Sequence, residues 1–198
     1  MKQKCRIFIS CLVVLWAQAS SQEMDSIQII LDNCRDQSRI TKYYDPSYVR
    51  LDYPMGDVPM DWGVCTDVVV RAFRAGGIDL QELIHRDMKA NFAQYPDNWD
   101  LKKPDPNIDH RRVPNISNYM RRMGKEIRTS KTEKDYEPGD IVIWKLPNNL
   151  DHIGIVSDKV VEGSQRYCIY HNIGQGTRLE DILMKFRITG HFRYFNSN

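Results

Sequence analysis

The sequence contains no internal repeat, no low-complexity tract and no apolar run of the about 20 residues that a membrane-spanning helix requires, so neither a repeat array nor a bilayer span is implied. Charge of one sign is lacking too. The 198 residues carry 28 basic and 26 acidic side chains, a formal net charge of +2; taking away Lys2, Lys4 and Arg6, which belong to an N-terminal leader, leaves 25 against 26, or −1. That balance gives no footprint for nucleic acid. A phosphate-cradling glycine loop is missing as well, since Gly174-Gln175-Gly176 is too sparse. A metal site built from His152, His171 and Asp109 or Asp151 is the weakest functional option, because their spacing matches no metal-ligand pattern; no cofactor or metal is expected. Cysteine is scarce: beyond the leader only Cys34, Cys65 and Cys168 remain, and an odd count in an exported chain means one pair plus a free thiol, or three free thiols.

What is present is a chain with 41% apolar residues, enough for a core of ordinary size. Its first 21 residues stand apart. Lys2, Lys4 and Arg6 precede an apolar run from Ile7 to Trp16, and Ala17-Gln18-Ala19 puts small residues at a cleavage spacing, the pattern of a secretory signal peptide. The expectation is therefore residues 1–21 as signal and 22–198 as one domain, exported to the periplasm or secreted, monomeric, with no transmembrane segment after cleavage.

The stretch from Gly63 to Gly77, GVCTDVVVRAFRAGG, organises the rest. Val68, Val69, Ala72 and Phe73 follow Cys65 at the spacing of a buried helical stripe. Thr66 and Asp67 suit its first turn, and Gly76-Gly77 end it. Cys65 thus falls at the positive end of a helix, where a thiol pKa is expected to drop from about 8.5 toward neutrality. The alternative is a small hydrophobe filling a core gap. Residues 24–38 read as an amphipathic helix with Cys34 on the stripe of Ile27, Ile30 and Leu31, which favours core packing over pairing with Cys168.

Residues 43–59 form an aromatic, proline-rich loop leading to the thiol, in which Tyr53 is either a packing residue or a hydroxyl within reach of a site. Asp79 to Glu82 is a capping pattern that opens a second helix, with His85 off its stripe and read as a solvated surface residue. Residues 93–114 make a loop longer than the roughly 12 to 15 residues usual in a compact domain. Within it, Asp109 either pairs with Arg111 and Arg112, or one of those arginines offers its planar fork to substrate carboxylates. Ile116, Tyr119, Met120 and Met123 mark a third helix, closed by Gly124.

From Glu137 the period changes. DIVIWKL, HIGIVSD, YCIYHN and ITGHFRYF read as strands, with Leu179 to Phe186 as one or two helical turns and His191 facing outward from the last strand. Helices first and strands afterwards predict an α+β fold with an antiparallel sheet. His152 opens one strand and His171 lies near the end of the next, positions that neighbouring antiparallel strands bring together. A cysteine nucleophile needs an imidazole to accept its proton and a polar group to orient that imidazole; Cys65, His152 and His171 supply the three. Structural, hydrogen-bonded histidines are the alternative.

The segments YPMGDVP, GVCTDVVVRAFRAGGIDL, NIDHRRVPN, GDIVIW, HIGIVSD, HNIG and ITGHFRY, spread over residues 40–195, resemble the domain of unknown function (DUF) 1287 family within the clan of NlpC-type cell-wall cysteine peptidases. The resemblance implies a papain-like fold with Cys65 as nucleophile, His152 as base and His171 as the residue that orients it, with Asn172 the alternative third member. Tyr53 matches the upstream tyrosine whose hydroxyl, with the Cys65 N–H, would bind an oxyanion. Asp109, His110, Arg111 and Arg112 are carried as substrate-binding candidates. Val64-Cys65-Thr66 departs from the Asp-Cys-Ser usual in NlpC-type enzymes. The expected activity is hydrolysis of a peptidoglycan amide, within the stem peptide of a muropeptide; the rival is a non-catalytic wall- or peptide-binding module.

Overall fold

A computed structural model describes residues 25–195. The expected signal segment lies outside the described residues. Residues 25–40 form the first helix, α1, which buries Ile30, Leu31, Cys34 and Gln37 along one face. Two short strands follow, β1 (Tyr43–Tyr44) and β2 (Trp62–Gly63), paired in parallel. Helix α2 spans Cys65–Ala75 and is buried without a break from Cys65 to Phe73, so it is the central rod of the helical layer. Its first turn is closed by Asp67, whose carboxylate accepts from the Val64 N–H at 2.7 Å. At the other end Gly77, at φ 82°, lets the chain turn back so that the Ile78 N–H bonds the Phe73 carbonyl at 2.9 Å.

Helices α3 (Leu80–Asn91) and α4 (Val113–Arg122) complete the layer. Asp79 caps α3 through the Gln81 N–H at 3.2 Å, as its sequence pattern predicts. Five strands, β3 (Ile141–Lys145), β4 (Asp151–Val160), β5 (Tyr167–Asn172), β6 (Thr177–Glu180) and β7 (Arg187–Phe192), form an antiparallel sheet in the order β6-β5-β4-β3-β7. The α+β expectation therefore holds. Ile141, Ile143, Ile153, Ile155 and Tyr170 face the helices, with Val68, Val69 and Phe73 opposite them. The other face is not left to water, because Tyr136, Ile182 and Leu183 cover Val142, Trp144, Val156 and Ile169.

That second cover corrects two sequence readings. Residues 177–180 form edge strand β6 and not the start of a helix, and the chain then turns so that Leu183 accepts the Trp144 indole N–H at 2.9 Å. His191 is buried, not outward-facing: it stacks on Tyr136 with ring centroids 4.2 Å apart and bonds Asp140 at 2.7 Å. Alternation along β7 misleads because its register with β3 slips between Ile143 and Trp144, and because a strand with two covered faces has no outside. Cys34 is enclosed in the core and Cys168 lies half-buried on β5; both, like Cys65, are free thiols.

Candidate active site

Cys65 is the first residue of α2, held there because Val64 before it is extended (φ −114°, ψ −179°) and anchored through its N–H to Asp67. Asp67 is fixed in turn by a two-pronged ion pair with Arg111, at 3.0 Å on each prong. Arg71, one turn further on, grips Asp57 and the carbonyls of Val58, Pro59 and Trp62, tying the approach strand to the helix. Asn172 closes the arrangement from the sheet side, donating to the Gly63 carbonyl at 3.0 Å and the Tyr43 carbonyl at 3.3 Å.

The sulfur meets the sheet at the open end of the β4–β5 ladder. Regular pairing of these strands starts at Ile155↔Tyr170, and beyond it the Ile153 N–H donates to the Cys65 sulfur. His152, adjacent in the chain, is buried, and its Nε2 lies 3.1 Å from His171 Nδ1. His171 Nε2 lies 3.1 Å from Glu180 Oε2. The hydrogen-bond inventory fixes the tautomers. A carboxylate only accepts, so His171 carries its proton on Nε2, its Nδ1 accepts from His152 Nε2, and His152 keeps a bare lone pair on Nδ1. A general base needs that lone pair. Gly154 permits the approach of β5: a Cβ there would stand 2.6 Å from Ile169 Cγ2 and 3.2 Å from His171 Cβ.

Burial sets the protonation states. Desolvation pushes the Cys65 thiol up to about 12, helped by the Asp67 carboxylate and opposed by the Ile153, Thr66 and Cys65 N–H groups. The expected drop toward neutrality is therefore reversed: one turn of helix dipole does not outweigh removal of water and a neighbouring anion. His152 is lowered to about 3 by burial and then by His171, and His171 is lowered by burial against the pull of Glu180. At neutral pH the resting pair is thiol and neutral imidazole, not thiolate and imidazolium.

Cys65 opens into a cleft of about 290 Å³ lined by Tyr44, Trp99, Arg111, Arg112, Leu150 and Asp151, among others. Tyr53, the expected oxyanion hydroxyl, is elsewhere: it is 41% exposed and packs edge-on against His85 with centroids 5.0 Å apart. Tyr44 lines the cleft instead, and burial raises its hydroxyl to about 12, with Asp67 adding to the shift and Arg111 opposing it. His85 is half-buried under Tyr53, not solvated, with Nδ1 3.9 Å from Asp109.

Of the four consecutive candidates after Ile108, only the arginines reach the cleft. Arg111 is committed to Asp67 and to the carbonyls of Ser47 and Asp45, so its fork is not open to a ligand. Arg112 lies with its guanidinium 4.0 Å from the Trp99 ring centre, and its Nη1 has no hydrogen-bond partner. Asp109 is buried near Arg112 and His85, raised to about 6 by desolvation. His110 is buried where Arg111, Arg74 and Asp79 act on it, and desolvation lowers it to about 3. Among the described residues no three His, Cys, Asp or Glu side chains are grouped to hold a metal ion, and no helix is long and apolar enough to cross a membrane.

Sequence reasoning missed Glu180, Tyr44 and Trp99. Glu180 sits opposite Ile169 in the β5–β6 register and reaches its diagonal neighbour His171, a relation invisible while those residues read as helix. Tyr44 and Trp99 stand in irregular segments with no period to mark them.

A cysteine at a helix start stands beside an antiparallel sheet that carries a buried histidine pair with a carboxylate behind it. The chain belongs to the family described as domain of unknown function (DUF1287), whose model matches residues 31–194. It is 53% identical over 166 residues, 84% of this chain and 80% of the relative, to the uncharacterized protein YijF of Escherichia coli (strain K12). Among solved structures, NlpC1 from Trichomonas vaginalis superposes on 87% of this chain with a TM-score of 0.45 and 12% identity, and an NLP/P60-family protein similar to a lipoprotein from Staphylococcus aureus does so with 0.45 and 10%. The chain spans less than half of either, 45% and 42%.

Proposed function

We propose that the protein is an exported cysteine hydrolase that cleaves an amide bond in peptidoglycan, within the stem peptide. The observation that carries this reading is the relay of His152, His171 and Glu180, joined by two 3.1 Å contacts, together with Cys65 at the cleft wall under the N–H of Ile153, the residue that follows His152. Such a relay does one thing well, which is to accept a proton at His152 Nδ1 and stabilise the imidazolium that results.

The step is general-base attack. As the Cys65 sulfur bonds the substrate carbonyl carbon, its proton passes to His152 Nδ1 and the carbonyl π electrons move to oxygen. The Cys65 N–H and the Tyr44 hydroxyl serve that oxyanion. Collapse breaks the C–N bond, the departing nitrogen takes the proton from His152, and a thioester remains. Water then attacks the thioester carbonyl as His152 Nδ1 takes its proton; the C–S bond breaks, the acid is released, and the proton passes from His152 to the Cys65 sulfur. Trp99, Arg111 and Arg112 from the 93–112 segment line the cleft, and Arg112 supplies the cation for an acidic peptide.

Purified protein incubated with muropeptides is expected to yield new fragments that Cys65→Ser does not. Equal behaviour of the two proteins contradicts hydrolysis by this thiol. A binding module that holds wall peptides without cutting is the second reading, favoured by the burial that raises Cys65 to about 12. Under it, Cys65→Ser binds the same muropeptides as the parent and neither protein changes their mass.

A further inference from the structure

A second cavity, of about 230 Å³, lies beside the cleft and shares Arg112 and Trp99 with it as a common wall. Its lining is mostly apolar, from Met88, Phe92, Tyr95 and Leu101; Arg112, Asn115 and the exposed Asp97 are the charged and amide side chains along it. Arg112 and Asn115 each carry an atom without a hydrogen bond, although Arg112 Nη1 stands 3.9 Å from Asp109 Oδ1 in an ion pair. Arg112 Nη1 and Asn115 Oδ1 are both buried without a hydrogen-bond partner. Asn115 is 1% exposed, and its orientation is fixed because its Nδ2 donates at 3.1 Å to the Asp109 carbonyl, which can only accept. Buried polar atoms are rarely left without a hydrogen bond, and here a donor and an acceptor belong to two residues that line one largely apolar cavity beside the Cys65 cleft.

The geometry points to this cavity as a subsite for the C-terminal residue of a peptide. The free carboxylate accepts from Arg112 Nη1, the residue's peptide N–H donates to Asn115 Oδ1, and a small side chain lies among Phe92, Tyr95 and Leu101. The inference rests on reading the Cys65 cleft as the hydrolase site, and it adds that the enzyme recognises a chain end and cuts close to it. A mid-chain peptide has no carboxylate for Arg112, and a bare acid has no N–H for Asn115.

The test is calorimetric binding to the Cys65→Ala protein, with N-acetyl-alanyl-alanine, as the all-L and the all-D compound, and the primary amide of each. At least one acid should bind, its amide about tenfold or more weaker because the charge-assisted hydrogen bond is lost. Arg112→Lys, which keeps charge but not the fork, and Asn115→Leu should each weaken the acid by a similar factor, while Lys159→Ala, on the far end of β4, leaves it unchanged. No binding of either acid, or equal binding of acid and amide, overturns the subsite. Because no cleavage is involved, the two proposals fail separately: discrimination without any muropeptide hydrolysis sinks the activity alone, and Cys65-dependent hydrolysis without discrimination sinks the subsite alone.

Discussion

Replacing Arg111 with alanine should reveal a clamp and not a ligand-binding residue. Its side chain is 2% exposed and that of its partner Asp67 4%, so the change leaves a carboxylate in a dry site with only the Val64 N–H, at 2.7 Å, to hold it. Removing one partner of a buried ion pair costs about 3–5 kcal/mol. The Ser47 and Asp45 carbonyls that also lose a donor belong to an irregular segment where water can substitute, adding under about 1 kcal/mol each. For a chain of this size about 1 kcal/mol moves the melting temperature by roughly 2–4 °C, so the fall should be about 6–20 °C. Calorimetry on Arg111→Leu, Asp67→Leu and the double variant completes a cycle: the double variant should be more stable than either single one, since it buries no lone charge. A melting temperature within about 2 °C of the parent for Arg111→Ala, together with weakened peptide binding, would refute the clamp.

Asp109 makes a pH prediction of opposite sign to most acids. Its folded pKa, about 6, stands above the ordinary Asp value of about 3.9, so folding favours its protonated form; that stability is complete below about pH 4 and is lost as pH rises through 6. Asp109→Asn should therefore raise stability by roughly 2 kcal/mol at pH 7.5 and by almost nothing at pH 4, read from melting temperatures across that range; a flat difference contradicts it. Asp140 runs the other way. Its bonds to Arg193 and His191 lower its pKa, so Asp140→Asn should be most destabilising above about pH 4, with the gap closing as acid protonates the parent. Cys65 should alkylate slowly, since burial raises its thiol to about 12 and so keeps it protonated at pH 7.5; iodoacetamide mass spectrometry should find half-exposed Cys168 labelled first, and faster labelling of Cys65 contradicts the buried thiol. Glu180→Gln, which keeps an acceptor for His171 but removes the charge, should cut turnover by about fivefold, the about 1 kcal/mol that separates a charged from a neutral hydrogen bond, without changing Arg112-dependent binding; an unchanged rate removes Glu180 from the relay.

Where a periodic pattern meets one buried face, the chain declares itself. The Cys65 helix, its capping by Asp67, its glycine stop, the buried stripe with Cys34 and the sheet strands holding His152 and His171 are all legible in residue spacing, because hydrophobic burial imposes 3.6 or 2 on the sequence. Three kinds of feature are not. Edge strand β6 is too short to show a period, so Glu180 goes unseen. A bulge and a second covered face turn His191 inward against its apparent alternation. Finally, which arginine is free depends on a partner 44 residues away, and Arg111 and Arg112 are neighbours that differ only in what the fold puts beside them. The pKa of Cys65 belongs to this last kind, since helix position is local but desolvation is a property of the whole packing.

Digestion of purified peptidoglycan, followed by mass spectrometry of the products from the parent, Cys65→Ser and His152→Ala proteins, tests the central claim most directly. The proposed chemistry predicts fragments cut at a stem-peptide amide by the parent, none from Cys65→Ser, and a rate lower by about 10²–10⁴ for His152→Ala. Unaltered peptidoglycan with the folded parent, or the same fragments from all three, would contradict it.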